Sequence, residues 1–398
     1  MPTKILQITN KPAYPSIDGG CLGMAKMSGF YDSNPDFNID ILTLETFKHP
    51  FDKKDFDENL SEEVSIFSVK IDTKPTVSGA VKALAANKSY NLSRFKCSDF
   101  EKKLIDILKS NNYEIVQLEN IFVAHYIDLI RQHSGAKIIL NSANIEYEIW
   151  ERMSKKSSWV KNRYFRILAK QLKTEEQEIW QKVDGIICAT NKDKKQIAKI
   201  VSPDKLITIP FYINLSKYQV DSETNTKPSF FHIGAMDWLP NIEGLDWFIS
   251  SVWNKLNIDA IFNLAGKDMP TKFLEQTNPT VRVSGFVDDA IDYMKQHDVM
   301  VVPLLSGSGI RVKIIEAMAL GKCVISTSIG AEGIHYENQK NILIADTEKE
   351  FSSVIKSLVD GPNKIKSIGS EARKLIENEY DISLMKDKLT SFLNNTIN

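Results

Sequence analysis

The sequence predicts an α/β protein of two doubly wound domains, and three observations carry that expectation. Short β-rich runs alternate with amphipathic helical stretches from the first residues onward, and the same rhythm restarts independently after residue 229. The chain has 398 residues, too many for one ordinary core and well suited to two domains of about 150 to 200 residues each.

In the first half the β-rich runs are Ile5 to Thr9, Ile39 to Leu44, Val64 to Val69, Ile115 to Leu118, Lys137 to Leu140 and Gly185 to Ala189. Helical patterns separate most of them; in Phe100 to Leu108, for example, Phe100, Leu104, Ile107 and Leu108 share one face. Strand, helix and strand in that order imply a parallel sheet covered on both sides. The second half places strands at Phe230 to Ile233, Ala260 to Leu264, Val281 to Ser284, Val299 to Pro303, Cys323 to Ser326 and Ile342 to Ala345. Between the halves, Ile209-Pro210-Phe211-Tyr212 closes one strand, and residues 221–228 are polar, turn-rich and aperiodic. The expected division is therefore 1–218 and 219–380. The tail from Glu371 to Phe392 reads as two helices broken near Tyr380 to Ser383, with Asp or Ser capping the second, and 381–398 is expected to pack back on the first domain. Two such domains facing a cleft would bind ligands at the carboxyl ends of their strands, so the active site is expected there.

Composition narrows the function. Hydrophobic residues make up 42%, charged residues 25% and the net charge is −1, the profile of a globular enzyme with no electrostatic argument for nucleic acid. The N-terminal run Lys4 to Thr9 is too short for a signal peptide and no stretch of eighteen apolar residues occurs, so a cytoplasmic location is expected. Cys21, Cys97, Cys188 and Cys323 lie far apart, with no zinc spacing, and read as reduced small hydrophobes.

The most informative segment is Val299 to Gly321. A strand runs into Leu304-Leu305-Ser306-Gly307-Ser308-Gly309 and then into the helical run Ile310 to Leu320. A turn without side chains lets a diphosphate approach the free N–H groups of a helix start. Arg311 and Lys313 add two cations in the first turn, where the helix dipole disfavours them unless an anion compensates. Glu316 follows Lys313 by three residues on roughly the same face, and its carboxylate can accept from vicinal ribose hydroxyls. The spacing alone also fits a surface Lys313–Glu316 ion pair with a solvated Arg311.

Ser306-Gly307-Ser308-Gly309-Ile310-Arg311-Val312-Lys313-Ile314-Ile315-Glu316-Ala317-Met318-Ala319-Leu320-Gly321, running on to Gly330-Ala331-Glu332-Gly333, resembles the donor-site signature of retaining glycosyltransferases of the GT-B fold, group 1, family four. His232 to Asn241 and Val283-Ser284-Gly285-Phe286-Val287-Asp288-Asp289 extend the likeness, which is strong from about residue 229 to 346. In the first half it rests on Gly19-Gly20 and on Asn144-Ile145-Glu146-Tyr147. The resemblance implies two Rossmann-like domains facing a cleft and transfer of a sugar from a nucleoside-diphosphate sugar to a glycan or lipid-linked acceptor, in polysaccharide or glycoconjugate synthesis. It implies that Arg311 and Lys313 bind the diphosphate and act as the catalytic charges. Glu316 would bind the ribose, and the backbone at Gly285 and Phe286 the base. Gly234, Ser308 and Gly309 would complete the donor site, and Gly19, Gly20, Asn144 and Glu146 the sugar and acceptor side. In such enzymes the acceptor attacks on the face of the leaving group, whose phosphate takes the proton, so a side-chain base is not required; no metal or cofactor is expected either. Two positions depart from the pattern: Ser308 stands where many relatives carry a second glutamate, and Ala143 where a histidine is common. They motivate the alternative of a nucleotide-sugar-binding protein without turnover. A nucleotide-sugar epimerase is the other alternative; it needs an acid and base pair that the sequence does not offer.

Other patterns carry less. Asp55-Phe56-Asp57 matches a two-aspartate metal motif but sits in a charged stretch with no strand to present it. The glycines at 307 and 309 lack the third glycine of a dinucleotide fingerprint, and Gly321-Lys322 lacks the rest of a P-loop. Residues 152–173 hold eight basic and no acidic residues, with Trp159, Tyr164, Phe165, Ile167 and Leu168 among them. That composition fits either a solvated basic face on a packed helix or peripheral contact with anionic lipid at the inner membrane face. His125, in the apolar helix expected over Ile121 to Ile130, reads as a satisfied core or cleft histidine, and His232 and His335 take no role from the pattern.

Overall fold

The computed structural model describes residues 2–86, 88–155, 159–220, 227–307 and 310–397, with side chains omitted for 155 and 159–161. The aperiodic 221–226, Lys156, Ser308 and Gly309 lie outside the described residues. The chain divides into two units, Met1–Pro210 with Lys386–Asn398, and Phe211–Met385.

The first unit is built on a seven-stranded parallel sheet. Its strands are β1 (Thr3–Thr9), β2 (Phe37–Glu45), β3 (Ser65–Lys70), β4 (Ile115–Glu119), β5 (Lys137–Ser142), β6 (Gly185–Cys188) and β7 (Leu206–Thr208), in the order β3-β2-β1-β4-β5-β6-β7. β4 is buried at every position, as the near-continuous apolar reading of its run requires for a sheet covered on both faces. The helix Ser98–Ser110 buries Phe100, Leu104, Ile107 and Leu108 in this core. Lys388 of the last helix, Ile382–Ile397, donates to the Thr208 carbonyl at 2.8 Å, and a Cβ on Gly185 would lie 2.9 Å from the Phe392 ring.

The second unit has six parallel strands: β8 (Ser229–Ile233), β9 (Ile261–Ala265), β10 (Val281–Gly285), β11 (Val299–Val302), β12 (Cys323–Ser326) and β13 (Leu343–Ile344), in the order β10-β9-β8-β11-β12-β13. Both sheets are doubly wound, the Rossmann-like arrangement, and each reverses its strand order once, between β1 and β4 and between β8 and β11. Those reversal points are where open α/β sheets offer a crevice.

Several local expectations change. Ile209 to Tyr212 lies beyond β7 instead of inside it. Ile121 to Ile130 is a 3-10 turn, Ile121–Tyr126, followed by an α-helix, Ile127–His133; Asn120, at φ 98°, caps the turn through its side chain and sets the tighter start. Asp55-Phe56-Asp57 is a short helix, Lys53–Asp57, with Phe56 buried and Asp57 paired to Lys53 at 2.5 Å. Three of the four cysteines are buried and Cys97 is half-buried.

Candidate functional site

The helix Val312–Ala319 follows β11 at the reversal point of the second sheet. Ile314, Ile315, Ala317, Met318 and Ala319 bury its inner face, and its end is set by Gly321 at φ 69°. There Gly321 N–H donates to Met318 O and Lys322 N–H to Ala317 O, both at 2.9 Å, the paired bonds of a Schellman stop. The helix starts two residues later than its sequence pattern indicates. Arg311 is therefore the cap residue, with extended backbone (φ −89°, ψ 92°), and Lys313 is the cation inside the first turn.

Arg311 is 7% exposed and lies over the Trp238 ring, its guanidinium carbon 5.1 Å from the ring centroid. Burial works against its charge and Glu332 offsets part of that. Gly307, at φ 115°, gives Arg311 its room: a Cβ there would sit 2.7 Å from Nη2 and 3.1 Å from Trp238.

Lys313 turns toward β8. Its Nζ lies 3.1 Å from His232 Nε2 and 3.1 Å from Asn241 Oδ1. His232 is wholly buried, and its Nδ1 meets the Val301 carbonyl at 2.7 Å, so Nδ1 carries the hydrogen and Nε2 offers the lone pair. Asn241 is held in turn by donation to the Ala235 carbonyl at 2.7 Å. Gly234 leaves space for this meeting; a Cβ would stand 2.8 Å from Lys313 Nζ and 2.9 Å from Asn241 Nδ2. Burial, and then the neighbouring Arg311 charge, bring the Lys313 ammonium down to about 7.

Glu316 does not pair with Lys313. Its carboxylate accepts from the Tyr218 hydroxyl at 3.0 Å, which removes the simple ion-pair alternative. Gly285, at φ 69°, ends β10, and Gly266 N–H donates to its carbonyl at 2.7 Å. Gly266 closes on Gly234 without room for any Cβ, so the ends of β8, β9 and β10 form one edge. Phe286, just past Gly285, is 65% exposed. The structure thus gathers Gly234, Gly285, Arg311, Lys313 and Glu316 along the carboxyl edge of one sheet. Ser308 and Gly309, the remaining candidates of this group, fall outside the described residues.

The other candidates belong to the first unit. Gly19 and Gly20 open the helix Gly19–Asp32, whose cap Asp18 accepts from Cys21 N–H at 2.8 Å. A Cβ on Gly19 meets nothing within 4 Å, and one on Gly20 approaches Asp18 and Lys11 at 3.2 Å, so the unit's own packing does not demand glycine at 19. Asp18, Cys21 and His49 cluster closely enough to surround a cation, but Asp18 is already engaged by Lys11 at 2.5 Å and His49 at 3.0 Å. Asn144 accepts from Ser142 Oγ through its backbone carbonyl at 3.1 Å. Glu146 begins the helix Glu146–Lys155, and burial raises its carboxyl to about 7. The buried Glu176 accepts the N–H groups of Glu146 and Tyr147, each at 3.0 Å, and so caps that helix from a neighbouring one. Burial holds the His125 imidazole neutral, with the nearby Lys96 charge working the same way and a backbone contact at Phe95 working against it.

His232 and Asn241, the partners of Lys313, lie in the segment that carries the resemblance but took no role from the pattern. The signal that bears on them is the close succession of His232, Gly234 and Asn241 around the first strand-to-helix turn of the second unit, which faces the cation-bearing helix only after folding.

Residues 227–360 match the sequence model of the family described as "Glycosyl transferases group 1". A curated relative, an uncharacterized 44.6 kDa protein in the cps region of Klebsiella pneumoniae, is 26% identical over 161 residues, 37% of this chain and 42% of that protein's length. Among solved structures, sucrose-phosphate synthase from Thermosynechococcus elongatus superposes with a TM-score of 0.70 at 13% identity, covering 99% of this chain and 98% of the other. Anabaena HepE in complex with UDP-glucose superposes with a TM-score of 0.67 at 13% identity, covering 98% and 99%. These likenesses concern the fold, whereas the family match falls on the unit that carries Arg311, Lys313 and Glu316. The chain has the GT-B fold of two Rossmann-like units, and the second of them carries the region that matches the group 1 glycosyltransferase family.

Proposed function

We propose that the protein moves a hexose-type sugar from a nucleoside-diphosphate sugar to a glycan or lipid-linked acceptor, with retention of anomeric configuration, in the synthesis of a cell-surface polysaccharide or glycoconjugate. The observation that carries this reading is the pair Arg311 and Lys313. Two cations sit at the start of the helix Val312–Ala319, held by an aromatic face, an imidazole lone pair and an amide oxygen. Two positive charges beside a helix N-terminus favour a dianionic group there. Glu316, one turn on and oriented by Tyr218, is placed to accept from ribose hydroxyls, and the edge at Gly285 and Phe286 to receive the base.

In this reading the two cations stabilise the charge that develops on the departing diphosphate, and the leaving phosphate takes the acceptor proton. No metal or cofactor has a step to perform. The cps-region context of the curated relative supports the polysaccharide setting. No helix among the described residues is long and apolar enough to cross a membrane. We place the enzyme in the cytoplasm, touching the inner membrane face through 152–173, where Tyr164 and Ile167 are exposed alongside Arg163, Arg166 and Lys170.

Thermal stabilisation by UDP, GDP, ADP, CMP, their common sugars, NAD and ATP tests the donor site. A ligand at one hundred times its Kd adds about 2.7 kcal/mol to native stability. We expect a selective shift with one nucleoside diphosphate and its sugar, followed by release of that nucleotide when acceptor is supplied; a response to NAD or ATP alone would overturn the reading. The anomeric configuration of the product, read by NMR, tests retention.

A further inference from the structure

The cation Lys313 is held by two neutral acceptors, and among the described residues no carboxylate lies within ion-pairing distance of it. One acceptor is His232, a wholly buried histidine on β8 that the transfer reaction as drawn does not use. The other is Asn241. Among the described residues, the charged groups near this meeting are Arg311, the cap of the same helix, whose charge acts on Lys313; Glu316, one turn on and bonded to Tyr218; and Glu332, which acts on Arg311. From β8 comes His232, and from β11 the Val301 carbonyl that meets its Nδ1.

We propose that His232 is a positioning residue for Lys313: its neutral Nε2 lone pair, with the Asn241 oxygen, holds the lysine nitrogen at the phosphate site without a counter-charge, so that binding of the diphosphate draws in a proton. The inference rests on the donor-site reading above and deepens it. His232 suits the task because its Nδ1–H is committed to Val301 O at 2.7 Å, which fixes Nε2 as an acceptor, and because burial keeps the ring neutral. A carboxylate in its place would satisfy the ammonium permanently and would compete with the diphosphate. A neutral acceptor aims the nitrogen and leaves its charge unmatched until the anion arrives. The proton goes to the Lys313 amine from solvent on binding and returns when the nucleotide leaves.

The sign follows from the lysine's position near 7 in the free protein. Below that pH the nitrogen is already an ammonium and binding is independent of pH. Above it, binding must recruit the proton, and affinity falls up to tenfold per pH unit. The lysine therefore links donor affinity to pH even though a nucleotide sugar's diphosphate does not titrate between pH 5 and 9.

The test is isothermal titration calorimetry from pH 5.5 to 8.5 with UDP-glucose, GDP-mannose and ADP-glucose, in buffers of differing ionisation enthalpy. The wild-type protein should take up close to one proton per diphosphate bound near pH 8 and none near pH 5.5. His232→Leu should move the midpoint of the affinity profile about one unit lower, because losing an acceptor disfavours the ammonium. His232→Gln, which keeps an oxygen acceptor, should return it toward wild type. Asn241→Leu should shift the midpoint in the same direction and serves if His232→Leu does not fold. A merely structural role for His232 would weaken binding equally at every pH. Binding without proton uptake, or a midpoint that neither substitution moves, overturns the inference and leaves the donor site standing. Absence of binding by all three nucleotide sugars at every pH removes both.

Discussion

Each sheet carries a buried ionisable side chain close to the point where its strand order reverses, and the two are opposites in charge. In the first unit it is Glu119, at the end of β4, 2% exposed. Its carboxylate accepts from Gln7 at 2.7 Å, Gln117 at 2.5 Å and Asn141 at 2.7 Å, and Gln7 and Gln117 are themselves tied to Ser28 and Tyr31. In the second it is Lys313, held by His232 and Asn241. Both charges have neutral partners, and burial shifts both toward the uncharged form, Glu119 up to about 6 and Lys313 down to about 7. The difference lies in what completes them. Three amide donors close the Glu119 shell from within, so it serves the fold. Among the described residues no anion completes the Lys313 shell, so a ligand can finish it.

Removing a cation from the second unit is expected to have the largest effect. Arg311→Ala is expected to weaken nucleoside-diphosphate binding by about 2 kcal/mol or more, since a charge-assisted contact to a buried anion is lost, and calorimetry reads this directly. The melting temperature of the unliganded protein should hold or rise, because a buried charge leaves with the guanidinium. Glu119→Ala should do the reverse. Three buried donors lose their acceptor at about 1–3 kcal/mol, lowering the melting temperature by several degrees while nucleotide affinity stays at its wild-type value.

Gly234→Ala probes the space between β8 and Lys313. The new Cβ meets the flexible ends of Lys313 and Asn241 at 2.8 and 2.9 Å, so the fold should survive with the amine displaced. Donor affinity should fall about tenfold, a displaced contact being costlier than its distance suggests.

The smallest expected effect is the pH dependence of stability, which the buried carboxyls of the first unit set. Glu119, Glu146 and Glu176 have native values of about 6, 7 and 8, all raised chiefly by burial. A carboxyl raised in the native state binds its proton more tightly there than in the unfolded chain. Its stabilisation is full below the unfolded value of about 4.3 and is lost as pH rises through the native value. Melting temperature in the absence of nucleotide should therefore decline by a few degrees between pH 5.5 and 8, with Glu176→Gln flattening the upper part of that decline.

Much of the fold was legible because it is written in local patterns. Buried parallel strands need near-continuous apolar runs, and such runs marked twelve of the thirteen strands among the described residues to within two residues at most ends; β7 is only three residues long and lies against the Ile209 to Tyr212 signal. The helix stop at Gly321 and the cation pair at Arg311 and Lys313 also sit inside one continuous segment. The partners of those cations were not legible. His232 is 81 residues and Asn241 72 residues from Lys313, and Tyr218 is 98 residues from Glu316. No spacing rule links positions so far apart, and a lone histidine on a strand reads as core.

By itself, then, the sequence determined two α/β domains, the order of their strands along the chain, and a glycine-rich turn delivering two cations and a carboxylate to one helix. Those are consequences of side-chain periodicity and of backbone freedom at glycine, which act over a few residues. Only the tertiary structure decided that Arg311 caps the helix over Trp238, that Lys313 meets an imidazole lone pair instead of Glu316, and that Glu119 is enclosed by amides. Electrostatic environment depends on which groups are left within a few ångströms of a charge once water is excluded, and packing alone sets that.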